Sequence, residues 1–199
     1  MLNIAVLVSG GGTNLQALLD AQAAGRMPHV RIALVVASNP QAYALQRAQA
    51  AGVEAAVCAR KAYAGAAAHD AALCSLLQGH GVDMVVLAGY LSMIGPRVLA
   101  AYPDRILNVH PSLIPSFCGA GYYGLRVHEA ALARGVKVTG ATVHLVNENY
   151  DEGRILAQKA VEVREGDTPE TLQRRVMEQA EWIILPQAAE CLAQKLEQG

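Results

Sequence analysis

Short runs of apolar residues alternate with segments of helical period along most of this chain. Strands repeat every two residues and helices every 3.6, so the spacing assigns each segment. The apolar runs predict seven strands, at residues 3–8, 31–37, 54–58, 83–87, 105–109, 141–146 and 155–163. The other segments predict helices at residues 14–24, 42–51, 67–77, 92–102 and 125–134. This alternation predicts an α/β fold, with a mostly parallel, open, twisted sheet and helices on both faces.

The last predicted element is a long C-terminal helix. Asp167 or Thr168 can cap its start, and Pro169 suits its first turn, where a missing N–H costs nothing. The pattern extends towards Gln194. Pro186 is expected to kink or break this helix, because a proline ring crowds the preceding turn.

Composition and charge narrow the function classes. A chain of 199 residues suits one domain over residues 1–199, which would bury about 70% of its unfolded surface. Lys and Arg total 16 against 17 Asp and Glu, without a basic run, so no nucleic-acid partner is expected. The four cysteines form no Cys-x-x-Cys pair, and the histidines and acids lack ligand spacing, so we expect neither disulfides nor a metal site. The first apolar run is too short for a signal peptide or a membrane span, which predicts a cytoplasmic protein.

Polar side chains occur at the ends of two predicted strands. Asn108 and His110 share one strand face, because residues two apart point the same way. Thr142 and His144 share a face of the other strand, and the polar stretch after it contains Asp151. An amide can donate to an oxyanion, an imidazole can move a proton, and a carboxylate can favour the charged imidazole. These parts predict acyl transfer to an amine.

The first predicted strand ends in Gly10, Gly11 and Gly12, and a helix follows at once. Free N–H groups at a helix start attract anions, so this loop suits a phosphate. Its spacing matches neither the dinucleotide fingerprint nor a P-loop, which argues against dinucleotides and nucleoside triphosphates. The alternative is an ordinary tight turn capped by Thr13, and the loop alone leaves both readings open.

Four stretches together resemble the phosphoribosylglycinamide formyltransferases of purine biosynthesis. They are residues 8–16 (VSGGGTNLQ), 86–90 (VLAGY), 106–115 (ILNVHPSLIP) and 140–144 (GATVH), and their order covers nearly the whole chain. The resemblance implies a Rossmann-like formyltransferase fold. It also implies transfer of the formyl group of 10-formyltetrahydrofolate to the amine of glycinamide ribonucleotide. The folate is then a cosubstrate, with no tightly bound cofactor, and the partners are these two small molecules. Relatives include monomers and homodimers, so both states stay open.

The resemblance also assigns roles by position. It places Asn108, His110 and Asp151 in the catalytic trio. It assigns binding of the ribonucleotide phosphate to Gly12, Thr13 and Asn14, and binding of the ribose to Glu181. It assigns binding of the folate to Asn108 and to the segment Leu91, Ser92, Met93 and Ile94.

Several expectations concern the histidines. We expect Asp151 to keep His110 protonated near neutrality, because a neighbouring carboxylate favours the charged ring. His144 either orients Asp151 or Asn108 or is a packed strand residue, and Thr142 serves the edge of the site. The remaining histidines lie in polar surroundings and are expected at the solvated surface. They are His29, His69, His80 and His128.

The chain also departs from the family pattern. Its loop at residues 116–124 is longer and richer in glycine than in some relatives, and Trp182 stands where many have His. The basic residue expected near Ala66 for the folate tail is missing, and Arg60 or Lys61 can substitute.

Three other functions remain open at this point. They are a formyltetrahydrofolate hydrolase, which uses water in place of the amine, a formyltransferase acting on an amino sugar nucleotide, and a non-catalytic sensor of a ribose phosphate.

Overall fold

The computed structural model describes residues 1–198 and is built around one seven-stranded sheet. Its strands lie in the order β3-β2-β1-β4-β5-β6-β7. They are β1 (Leu2–Val8), β2 (Val30–Ala37), β3 (Glu54–Val57), β4 (Met84–Leu87), β5 (Ile106–His110), β6 (Val138–Leu145) and β7 (Ile155–Glu162). The first five are parallel to one another, whereas β6 runs antiparallel to both β5 and β7. The predicted mostly parallel sheet is confirmed.

Over residues 1–198, seven helices connect and cover the strands. They are α1 (Thr13–Ala23), α2 (Ala44–Ala50), α3 (Ala66–Gly79), α4 (Pro96–Ala101), α5 (Leu125–Arg134), α6 (Pro169–Val176) and α7 (Trp182–Gln198). A 3₁₀ turn at Arg60–Ala62 precedes α3, and a π-helical turn at Met177–Glu181 joins α6 to α7.

Both faces of the sheet are covered, as the apolar runs predict. Val6 of β1 packs in one buried cluster with Leu18 of α1 and Leu185 of α7. Leu7, which points to the other side, packs in a second cluster with Leu73 of α3. A strand buried on both faces reads as an unbroken apolar run, which is why β1 shows no alternation.

The strand order creates a crevice beside β1. The chain leaves β1 for β2 and β3 on one side, then returns to β4 on the other. The loops that follow β1 and β4 therefore diverge at the carboxyl ends of these strands. Ligands of open α/β sheets bind at such a switch point.

Helix α4 begins at Pro96, so the predicted helix at residues 92–102 is wrong over its first turn. A residue before proline avoids the helical region, which keeps Gly95 extended. Asp70 of α3 caps the helix, since its Oδ2 accepts from the Arg97 N–H at 2.8 Å. A Cβ on Gly95 would lie 2.2 Å from Asp70 Cγ. Residues 91–95 therefore form a loop anchored at its end by Asp70.

The C-terminal helical segment begins as predicted but does not break where predicted. Thr168 accepts from the Thr171 N–H in a capping box, and Pro169 occupies the first turn. The expected break at Pro186 is wrong, because Pro186 lies inside α7, which extends to Gln198, whereas the alternative of a kink stays a prediction. A proline ring crowds the carbonyl four residues earlier, here that of Trp182, which directly follows the widened π-helical turn.

Two of the four histidines expected at the surface are buried, so that expectation is wrong for them. His69 is 4% exposed, and its Nε2 donates to the Cys58 carbonyl at 3.1 Å. His128 of α5 is fully buried, and neither ring nitrogen has a partner within residues 1–198. His29 and His80 are partly exposed and pair with Glu190 and Glu54.

The turn between β1 and α1 depends on Gly12. Gly12 has a φ of 71° and occupies the N-cap, without a side-chain cap, so Thr13 is the first helical residue rather than the cap. A Cβ on Gly12 would lie 2.7 Å from Ala44 Cβ. Glycine is therefore needed here both for its backbone conformation and for its small size.

The buried His128 predicts an acid-sensitive fold. Burial, together with the charge of His110, lowers the pKa of His128 to about 4. In the unfolded chain its pKa is about 6.5, so stability is fully present above about pH 6.5 and falls as the pH approaches 4. Between pH 7 and pH 4 this group should cost roughly 3 kcal/mol. Urea unfolding at both pH values should show a smaller loss in His128→Leu than in the wild type, and equal losses would contradict this.

Replacing Gly12 by alanine should destabilise the protein. The clash with Ala44 and the left-handed backbone should together cost roughly 2–4 kcal/mol in the free energy of unfolding. Gly10→Ala is the matched control, because a Cβ on Gly10 meets nothing within 4 Å. Urea unfolding should leave the control within about 0.5 kcal/mol of the wild type. Similar losses in both variants would show that the Ala44 contact is not the cause.

Candidate active site

The antiparallel pairing of β5 with β6 brings the predicted strand residues together. In the register of these strands, Asn108 lies opposite His144 and His110 lies opposite Thr142. All four side chains belong to one face, because each pair is two residues apart along its strand. The expected juxtaposition of the two strand ends is confirmed.

Hydrogen bonds fix the orientation of Asn108. His144 Nδ1 lies 2.8 Å from the Leu145 carbonyl, which can only accept, so Nδ1 carries the proton. In the neutral ring Nε2 is then an acceptor, and it receives a hydrogen bond from Asn108 Nδ2 at 3.1 Å. One amide hydrogen of Asn108 is thereby engaged, and the second is directed elsewhere. His144 thus contacts Asn108, one of the alternatives that its position left open.

His110 is held between a carbonyl and a carboxylate. Its Nε2 donates to the Phe117 carbonyl at 2.9 Å, and its Nδ1 lies 3.5 Å from Asp151 Oδ2. Burial lowers the pKa of His110, although Asp151 and the Phe117 carbonyl act in the opposite direction. The expectation that Asp151 keeps this ring protonated near neutrality is therefore wrong. Desolvation outweighs the carboxylate because the side chain is only 5% exposed.

Asp151 joins the two histidines from the loop after β6. Its Oδ1 lies 3.5 Å from His144 Nε2, and its Oδ2 accepts from the Gly119 N–H at 2.9 Å. Burial raises the pKa of Asp151, but His144 and His110, when their rings carry a second proton, and the Gly119 N–H together hold it below its ordinary value. The site therefore contains a buried, charged carboxylate beside two imidazoles.

Two residues around His110 have a left-handed backbone, which is uncommon outside glycine. Phe117 has a φ of 50° and Asp151 a φ of 56°. Phe117 supplies the carbonyl and Asp151 the carboxylate that His110 contacts. Such conformations persist only where the surroundings enforce them, and they cluster at functional sites.

Thr142 has a structural role, unlike the other three strand residues, which line the cavity. Its hydroxyl donates to the Ser112 carbonyl at 2.7 Å and accepts from the Ile114 N–H at 3.1 Å. The side chain is fully buried and does not line the cavity. Thr142 holds the loop that follows β5 at the edge of the site.

A cavity of about 600 Å³ opens in front of this cluster. Asn108, His110, His144 and Asp151 line it, as does the predicted folate segment Leu91–Ile94. Asn14 and Glu181 of the predicted ribonucleotide site line it as well. The structure therefore brings residues from all three predicted groups to one cavity.

The other predicted phosphate residues lie elsewhere. Thr13 faces a separate cavity of about 260 Å³, where Trp182 also forms part of the wall. Gly12 lines neither cavity, and neither do Arg60 and Lys61, the suggested substitutes for the folate-tail cation.

Asn14 and Glu181 form a buried pair. Asn14 Nδ2 donates to Glu181 Oε2 at 2.6 Å. Burial raises the pKa of Glu181 to about 7, and the Asn14 hydrogen bond lowers it only in part. Asn14 Oδ1 is buried and has no partner within residues 1–198.

Several residues that line the larger cavity were not predicted from the sequence. Gln173 and Met177 line this cavity together with Glu181. These three residues follow one another at intervals of four, a helical spacing that could have identified them. Tyr122 and Tyr123 of the glycine-rich loop also line the cavity, and they carry no periodic signal.

Residues 1–198 contain neither a candidate membrane-spanning helix nor a candidate metal-binding cluster. Over residues 1–198, no helix is long and apolar enough to cross a membrane. In the same part of the chain, no group of three or more His, Cys, Asp or Glu side chains could hold a metal ion.

Comparisons with known proteins agree with this arrangement. The formyl transferase family model matches residues 2–189. A phosphoribosylglycinamide formyltransferase of Haemophilus influenzae is 40% identical, and the match covers 94% of this chain and 84% of that protein. The crystal structure of glycinamide ribonucleotide transformylase 1 from Symbiobacterium toebii superposes with a TM-score of 0.92 at 48% identity, covering 98% of this chain and 89% of that one.

Some relatives are longer than this chain. The chloroplastic phosphoribosylglycinamide formyltransferase of Arabidopsis thaliana is 41% identical over 87% of this chain, which spans only 60% of that protein. The trifunctional purine biosynthetic protein of Bos taurus is 41% identical, and this chain spans 18% of it. The family model, the relatives with high coverage and the superposed structure all indicate the same family. The chain therefore belongs to the formyl transferase family, among the phosphoribosylglycinamide formyltransferases.

Proposed function

We propose that this protein transfers the formyl group of 10-formyltetrahydrofolate to the amine of glycinamide ribonucleotide. The observation that carries the proposal is the shared cavity. It contains the Asn108 amide 3.1 Å from the His144 ring, and the Asp151 carboxylate 3.5 Å from the rings of His110 and His144. The same cavity reaches the segments assigned to the folate and to the ribonucleotide. One-carbon transfer between two small molecules needs both of them at one cluster.

Asn108 stabilises the oxyanion in this mechanism. The amine nitrogen attacks the formyl carbon, and the carbonyl oxygen becomes negative as the new C–N bond forms. Asn108 already donates one amide hydrogen to His144, which fixes the amide plane and leaves the second hydrogen for the oxyanion. A donor fixed in advance costs little reorganisation when the charge develops.

His110 is the proton donor and acceptor. The bond between the formyl carbon and the folate nitrogen breaks, and a proton from the amine goes to that nitrogen through His110 or water. His110 Nε2–H points to the Phe117 carbonyl, and Nδ1 points to Asp151. The substrate must therefore replace the Phe117 carbonyl as the partner of Nε2. The loop at residues 116–124 has the flanking glycines that such an adjustment needs.

The two substrates contact different parts of the cavity wall. Leu91 and Met93 are 69% and 53% exposed, although both are apolar. An apolar ligand surface would cover them, and the pterin ring of the folate suits this wall. The wall with Asn14 and Glu181 is polar and suits the ribose of the second substrate.

An assay with purified protein tests the function directly. The folate absorbance change is followed with 10-formyltetrahydrofolate, with and without glycinamide ribonucleotide. We expect turnover that requires the ribonucleotide and yields its formylated product. Formate release without the ribonucleotide would indicate a hydrolase. Binding of both ligands without turnover would overturn the proposal in favour of another acceptor or a sensor.

Asn108→Ala should lower kcat by about a hundred- to a thousandfold, because one oxyanion donor is removed. The KM values should change far less, since the interaction develops in the transition state. Steady-state kinetics measure the effect, and urea unfolding verifies that the fold is intact. A kcat near that of the wild type would remove Asn108 from the mechanism.

Asp151→Asn should shift the pH dependence of kcat/KM. The Asp151 carboxylate raises the pKa of His110 against the effect of burial, so its removal lowers that pKa further. The protonated ring exists below its pKa, so activity that needs it should be lost at a lower pH than in the wild type. Glu152→Gln is the matched control, because Glu152 is the neighbouring exposed carboxylate. Superimposable profiles for wild type and Asp151→Asn would contradict this role.

A further inference from the structure

The wall of the larger cavity is acidic. Its charged lining residues are Glu148, Asp151 and Glu181, and within residues 1–198 neither a lysine nor an arginine lines it. The folate cosubstrate of the proposed reaction ends in a glutamate, whose carboxylates are ionised at neutral pH. Carboxylates in the wall repel such a tail. The tail therefore requires a cation that lies just outside the lining.

The covalent structure of the folate determines where this tail can lie. The nitrogen that carries the formyl group joins the pterin end to an aminobenzoyl ring, and the glutamate is attached to the far end of that ring. In the proposed function the formyl carbon lies at Asn108 and His110, and the pterin covers Leu91 and Met93. The benzoyl ring must then lie against another part of the wall, and the tail must lie beyond it.

Three exposed tyrosines supply an aromatic part of the wall. Tyr122, Tyr123 and Tyr150 are 39%, 47% and 54% exposed, and all three line the cavity. They belong to two loops that are joined close to the catalytic cluster, because the Gly119 N–H donates to Asp151 Oδ2 at 2.9 Å. Aromatic rings pack favourably on one another, so these side chains suit the benzoyl ring.

Arg126, in the first turn of α5, is stacked on one of these rings. Its guanidinium carbon lies 4.9 Å from the centre of the Tyr123 ring, within the range of a cation–π contact. The side chain is exposed, and in the part of the chain that the structure describes it forms no ion pair with a carboxylate. A stacked guanidinium keeps its N–H groups at its edge, where two of them can donate to one carboxylate. Arg126 is thus a cation held directly behind the aromatic part of the wall.

We infer that Arg126 binds a glutamate carboxylate of the folate, with the benzoyl ring held against Tyr122 and Tyr123. The inference rests on the proposed function for the identity of the cosubstrate. It replaces the expectation that Arg60 or Lys61 binds the tail. Neither of these lines a cavity, whereas Arg126 contacts a residue that does.

Arg126→Met removes the charge and keeps a long side chain that can still cover Tyr123. It should raise the KM for 10-formyltetrahydrofolate about three- to tenfold, because a charge-assisted contact is lost. The kcat and the KM for glycinamide ribonucleotide should stay within about twofold, since the contact is the same in the ground state and the transition state. Arg134→Met is the matched control, because this exposed arginine at the other end of α5 lines neither cavity.

Calorimetry with tetrahydrofolate and with tetrahydropteroate, which lacks the glutamate, tests the contact without turnover. The wild type should bind tetrahydrofolate more tightly, and the difference should shrink as salt rises. Arg126→Met should weaken tetrahydrofolate about three- to tenfold and leave tetrahydropteroate unchanged. Equal effects on the two ligands, or no effect on either, would overturn the inference. A wild type that binds neither ligand, or both equally, would overturn it as well.

The same measurements separate this inference from the proposed function. A wild type without transferase activity that prefers tetrahydrofolate through Arg126 would overturn the proposed function and leave the contact with the tail standing. A fully active wild type whose folate binding is unchanged in Arg126→Met would do the reverse.

Discussion

The antiparallel pairing of β5 with β6 is the constraint on which the site depends. It places Asn108 opposite His144, and a slip of one residue would turn one strand's side chains to the other face. Gly153 completes the geometry, because a Cβ there would lie 1.7 Å from the Leu145 carbonyl. The chain can therefore return closely against β6, and the loop it forms delivers Asp151 beneath both imidazoles.

Burial sets the electrostatics of this cluster more than any single pair does. The carboxylate of Asp151 stays charged because imidazoles and an N–H surround it, whereas desolvation makes His110 less basic than an ordinary histidine. In the proposed mechanism, a weakly basic His110 that has taken a proton from the amine would give it up readily to the leaving nitrogen.

The sequence predicted the strands and the cluster because both depend on local spacing. An apolar run located β5 and an alternating pattern located β6, and residues two apart share a face whatever the rest of the fold. The start of α4 could not be found this way, because it depends on Asp70 of another helix. Burial of His128 and the π-helical turn before Trp182 also arise from packing between distant segments. The polar residues around His128 in the sequence do not indicate that it is buried.

Glu181 adds a titratable group to the wall of the larger cavity, beside Asn14. With a pKa raised to about 7, it is close to half protonated at neutral pH while it accepts a hydrogen bond from Asn14. In the proposed function, the phosphate of the ribonucleotide would add negative charge, which raises the pKa of a buried carboxyl further. Glu181 would then be a neutral acid in the complex, able both to donate and to accept at a ribose hydroxyl.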